Sequence, residues 1–230
     1  MSTRVVLLPG MDGTGSLFGP LVERTPPAFD ARVVTYPRDV GEVSELARRA
    51  AEAIPTDRPF VLVAESFSGP IALTLAARRP VGLRAVVLCA TFVTNPVPWF
   101  PAALASMVRS PVFAMTPSVL VEASLLGTQG DADLRARVRE AIAGVPADVL
   151  AQRARACLRA DARAALESCP APILILRATQ DLVVPASCTR EIVEARPDAI
   201  LREIAAPHLL LQVAPEAAWM EIERFVAGLP

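Results

Sequence analysis

Six short apolar runs, separated by stretches with helical spacing, constrain this chain more than anything else in it. RVVLLP (4–9), ARVVTY (31–36), FVLVAE (60–65), RAVVLCA (84–90), PILILRA (172–178) and AILREIA (199–205) read as strands. Most are apolar at nearly every position, where a strand wetted on one face would alternate. Between them, VSELARRAAEAI (43–54) puts Leu46, Ala50, Ala53 and Ile54 on one helical face, and 67–79 and 186–195 also read as helices. A last helix, 215–228, opens on Pro215 and closes near Gly228, the usual asymmetry of helix ends. This alternation predicts an α/β fold: a doubly wound, mostly parallel sheet of about six strands with helices on both faces.

One segment breaks the rhythm. Residues 96–169 hold no strand pattern, only helical stretches punctuated by Pro96, Pro98, Pro101, Pro111, Pro117 and Pro146. They read as a helical insertion after the fourth strand, a lid over whatever lies at the sheet's edge. Residues 1–230 are expected to form one domain carrying this lid.

Composition narrows the chemistry. All 23 basic residues are arginine, so a P-loop lysine, a Ser-Lys dyad and a Schiff base are excluded. The net charge of -1 offers no field for nucleic acid. With one histidine and no C-x-x-C pair among Cys89, Cys157, Cys169 and Cys188, no metal site is expected, and the cysteines read as buried thiols of a reducing compartment. No run approaches the length of a membrane span, and the first apolar run is too short for a signal segment, so a cytoplasmic protein is expected.

The stretch VLVAESFSGP then stands out. Ser66 follows a strand directly and a helix follows it, with Ala64, Ser68 and Gly69 keeping the turn uncrowded. A strand–turn–helix of this kind exposes a serine hydroxyl at a helix N-terminus, where developing negative charge is favoured. A serine needs a base, and the base needs an acid to orient it. The single histidine, His208, follows the last strand in AAPHLLLQVAP; Asp181 follows the strand before, in RATQDLVVP. All three therefore fall at the same edge of a parallel sheet, where such folds bind ligands.

Over nearly its whole length the chain resembles the α/β-hydrolase superfamily. The elbow AESFSG, the acid loop RATQDLVVP and the histidine segment APHLLLQVAP fit that pattern in its order, with A-x-S-x-S in place of G-x-S-x-G. The resemblance implies Ser66 as nucleophile, His208 as base and Asp181 as acid, with no cofactor. It implies an oxyanion hole from the amides of Phe67 and of Met11, the latter in the loop LLPGMDGTGSLF. The family's core has eight strands, so the two antiparallel N-terminal ones are missing from the six counted here.

The expected activity is hydrolysis of a carboxylic ester with a hydrophobic or medium-length acyl group. A thioesterase or acyltransferase uses the same triad; a lyase or a catalytically silent binding module is a further alternative. A nucleotide-binding oxidoreductase is disfavoured, because GMDGTG has the wrong glycine spacing. The partner is a small-molecule ester or thioester. Trp99, Phe100, Met107, Phe113 and Met115 are candidates to line its pocket. Glu65 is expected to face away at the elbow and hydrogen-bond nearby loops, Asp12 to stabilise its turn, and the insertion's arginines to lie on a balanced, solvated surface.

Overall fold

The computed structural model describes residues 2–229. All six expected strands form: β1 (Thr3–Leu8), β2 (Phe29–Val33), β3 (Phe60–Glu65), β4 (Leu83–Cys89), β5 (Ile173–Ala178) and β6 (Ile200–Ile204). They make one sheet in the order β2-β1-β3-β4-β5-β6, and every neighbouring pair is parallel. The helices expected over 43–54, 67–79, 186–195 and 215–228 appear as Val43–Glu52, Gly69–Ala77, Ala186–Ala195 and Pro215–Ala227.

β3 shows why its sequence is apolar from Phe60 to Ala64. Phe60, Leu62 and Ala64 pack into one core with Leu46, Ala50, Ile71 and Leu75 from two of these helices. Val61 and Val63 point to the opposite core, with Phe18, Leu21, Ala218, Trp219 and Ile222. Alternate residues from Phe60 to Ala64 thus serve two buried faces, and no polar position remains before Glu65.

β2 departs from expectation. The β-branched run suggested 31–36, but the ladder with β1 runs from Phe29 to Val33. Val34 still donates its amide to the Leu7 carbonyl of β1 at 2.9 Å, but Tyr36 turns to the loop after β1, where its amide donates to the Gly13 carbonyl at 2.7 Å. The apolar side chains of Val34 and Tyr36 are buried there, so the pattern marked burial beyond the end of the ladder.

The chain runs from β1 out to β2 and returns to β3 on β1's other side. The loops after β1 and β3 therefore open side by side at the carboxyl edge, the switch point of a doubly wound sheet. Between β4 and β5 the described chain forms no strand, only helices joined by irregular stretches and a single bridge pairing Thr94 with Asp161. Among the described residues no helix is long and apolar enough to cross a membrane.

Candidate active site

Ser66 stands at the end of β3 with φ of 51°, in the left-handed region. Such a conformation costs a residue with a side chain on the order of 1–3 kcal/mol, and it is held by its surroundings. A short 3-10 turn, Ser66–Ser68, leads into the helix Gly69–Ala77. Thr91, just beyond β4, donates its hydroxyl to the Ser66 carbonyl. That contact leaves no room at Gly69, where a Cβ would stand 2.1 Å from Thr91 Oγ1. Gly69→Ala is accordingly expected to cost about 1–3 kcal/mol, measured as a lower midpoint in thermal unfolding. Ser68 has an active role in the turn. Its buried hydroxyl donates to the Pro9 carbonyl, which leaves the Tyr36 hydroxyl to donate to Ser68 Oγ at 2.7 Å. The elbow is thereby tied to the ends of β1 and β2.

The segment after β6 brings His208 to this elbow. Its Nε2 lies 2.9 Å from Ser66 Oγ and its Nδ1 lies 2.8 Å from Asp181 Oδ2. The other Asp181 oxygen accepts the Val183 and Val184 amides at 2.7 and 2.9 Å, so the carboxylate cannot swing away. An ionised carboxylate only accepts, which puts the imidazole proton on Nδ1 and leaves Nε2 to accept from the serine. Three residues from the loops after β3, β5 and β6 thus form one hydrogen-bonded line.

The line ends at a cavity of about 320 Å³ lined almost wholly by apolar side chains. Gly10, Met11, Ser66, Phe67 and His208 form its floor, and Val97, Val108, Val121, Leu125, Ile142 and Leu158 from the stretch between β4 and β5 contribute to its walls. Of the aromatic and methionine residues expected to line it, none does. Trp99 and Met115 are each 80% exposed, Met107 is exposed, and Phe100 packs edge-on against Trp99. Trp99 and Phe100 fall in the non-helical stretch between Pro98 and Pro101, whereas Met107 ends the 3-10 helix Ala102–Met107 and Met115 ends the helix Ser110–Met115, which buries none of its residues. Phe113 packs beside Val145, Val149 and Leu150 and borders a second cavity.

The sequence pattern of the alpha/beta hydrolase family matches residues 4–221. This chain belongs to that family. It is therefore an enzyme of the hydrolase class. No curated protein matches it by sequence. Among solved structures it is similar to a hydrolase from Oleispira antarctica (TM-score 0.81, 13% identity, covering 99% of this chain and 92% of that one). It is also similar to an enol-lactonase from Burkholderia xenovorans LB400 (0.77, 18%, 99% and 92%) and a thermophilic esterase from Thermogutta terrifontis (0.80, 18%, 99% and 90%). At these identities the likeness is one of fold.

Two further side chains of this hydrolase depart from their sequence-based expectations. Glu65 does not face away from the elbow: it is buried, borders the cavity, and accepts a hydrogen bond from Gln212 Nε2 at 3.2 Å. Arg153 is not on the solvated surface with the other arginines but has no exposed area. Its guanidinium donates to the carbonyls of Met11 and Asp12 at 2.9 Å, Pro37 at 2.7 Å and Val40 at 2.8 Å. The clue was its place in the helix Ala147–Leu158, where it falls on the stripe of Val149, Leu150 and Cys157 rather than on the polar side. Asp12 does support its turn, accepting from the Thr14 amide and hydroxyl. Cys89, Cys169 and Cys188 are buried free thiols and Cys157 is half-buried. No cluster of metal-binding side chains occurs among the described residues.

Proposed function

We propose that this alpha/beta hydrolase is a serine esterase that cleaves a carboxylic ester with a hydrophobic or medium-length acyl group. The observation that carries this reading is the Asp181–His208–Ser66 line of hydrogen bonds opening on an apolar cavity. Ser66 Oγ attacks the carbonyl carbon as His208 Nε2 takes its proton. Asp181 holds the imidazole and stabilises its charged form. The oxyanion that develops is held by the amides of Met11 and Phe67, both at the cavity floor. His208 then protonates the departing alcohol. Water, activated by the same imidazole, releases the acid and restores Ser66. The helices of 96–169 act as a lid whose apolar inner face selects the acyl group. The names of two structural relatives, an esterase and an enol-lactonase, point to the same bond.

The test pairs covalent labelling with a substrate panel. A fluorophosphonate is expected to add once, on the peptide containing Ser66, as read by mass spectrometry. Among p-nitrophenyl esters of graded acyl length, kcat/KM is expected to peak at a medium chain. A parallel thioester series and product analysis with added alcohol distinguish thioesterase and transferase activity. No labelling of Ser66 together with no turnover of any ester would remove the proposal.

A further inference from the structure

Glu65 closes β3 and Gln212 sits four residues beyond His208, in the short helix Leu210–Val213. Both side chains are buried. One hydrogen bond joins them, from Gln212 Nε2 to Glu65 Oε2. The two remaining oxygens, Glu65 Oε1 and Gln212 Oε1, are also buried, and neither has a donor among the described residues. An ionised carboxylate leaves both bare. Turning the amide over does not help, because it sets the Gln212 carbonyl against a carboxylate oxygen. A single proton on the carboxyl group removes both deficits. The acid O–H then donates to the Gln212 carbonyl while the amide N–H donates to the other carboxyl oxygen.

We propose that Glu65 is a neutral carboxylic acid that closes with Gln212 into a two-bond acid–amide ring, and that this ring positions His208 over Ser66. The surroundings favour the neutral form. The charged or titratable groups facing Glu65 are Asp12 after β1, Cys89 at the end of β4, Asp181 after β5 and His208 after β6. Only the last can be positive. Burial pushes the Glu65 carboxyl up to about 7, with Asp12 and Asp181 adding to the effect and His208 and Gln212 opposing it. Ionised, Glu65 would leave two buried acceptors unpaired and favour an imidazolium that cannot serve as base. Its positioning role rests on the serine-hydrolase reading; its protonation does not.

Three measurements test this. In infrared difference spectra of wild type minus Glu65→Gln taken well below pH 7, a protonated-carboxyl stretch is expected, converting to a carboxylate signal as the pH passes about 7. A carboxylate signal alone below that value overturns the neutral acid. In thermal unfolding, Glu65 is protonated in the folded state where the unfolded chain has already ionised. Wild type is therefore expected to lose stability relative to Glu65→Gln as pH rises from about 4.5 to about 7, and the gap to stay flat outside that window. The opposite slope overturns the proposal.

In kinetics, Glu65→Ala breaks the ring and is expected to lower kcat on the order of 10- to 10²-fold with little change in KM. Glu65→Gln rebuilds the ring as an amide pair, and it is expected to recover most of that loss and to remove from the pH–kcat profile the step near 7 that belongs to Glu65. Equal loss in both variants overturns the positioning role. Should Ser66 resist the fluorophosphonate, the esterase reading fails while the infrared and unfolding results still decide the state of Glu65.

Discussion

Ser66→Ala is expected to lower kcat for p-nitrophenyl ester hydrolysis by roughly 10⁴- to 10⁶-fold, the scale seen when a triad nucleophile is removed. The loss belongs to the chemistry and not to the fold. Alanine at this position takes the same positive φ that serine already bears, so backbone strain is unchanged. The substitution gives up one hydrogen bond, to His208 Nε2, worth about 1 kcal/mol net. The thermal unfolding midpoint should therefore stay within a few degrees of wild type. His208→Ala should produce a comparable loss, and the double variant little more, because nucleophile and base act as one unit. A Ser66→Ala enzyme turning over at more than a tenth of the wild-type rate would take Ser66 out of the mechanism.

Much of this site was legible because strand ends carry it. A continuous apolar run reports a strand buried on both faces, and in a parallel sheet all such strands finish at one edge. Ser66, Asp181 and His208 could thus be assigned to a common rim from strand order alone. What the sequence did not disclose depends on side chains whose partners are backbone atoms far along the chain. Arg153 meets carbonyls more than a hundred residues away, and carbonyls leave no mark in a sequence. Glu65 read as facing away at the elbow because its partner, Gln212, lies in a four-residue helix too short to show a period. Trp99, Met107 and Met115 misled for the converse reason: a large apolar side chain suggests a pocket wall, but these three stand on the outer side of the segment, exposed, and nothing in a sequence tells the outer side of a short helix from the inner one.

Arg153→Met is expected to destabilise the fold by about 3–5 kcal/mol, or about 10 °C in the unfolding midpoint. Methionine fills much of the same volume but donates nothing. The carbonyls of Met11 and Asp12 after β1, and of Pro37 and Val40 after β2, then lose the cation that gathers them. Gly13 shows how closely the guanidinium is fitted, since a Cβ there would stand 2.7 Å from Arg153 Nη1. Arg153→Lys keeps the charge, but a single ammonium with three donors cannot span four carbonyls, so an intermediate loss follows. The same bonds reach catalysis. Arg153 fixes the Met11 carbonyl, and with it the loop whose Met11 amide is proposed to meet the oxyanion. That amide acts on charge present only in the transition state, so its displacement lowers kcat and leaves KM nearly unchanged. Measured below the variant's own unfolding midpoint, kcat should fall on the order of 10²-fold, the cost of one oxyanion donor. A variant that unfolds early yet keeps full kcat would reduce Arg153 to a structural bolt, and one with an unchanged midpoint would show that the four carbonyls find other partners.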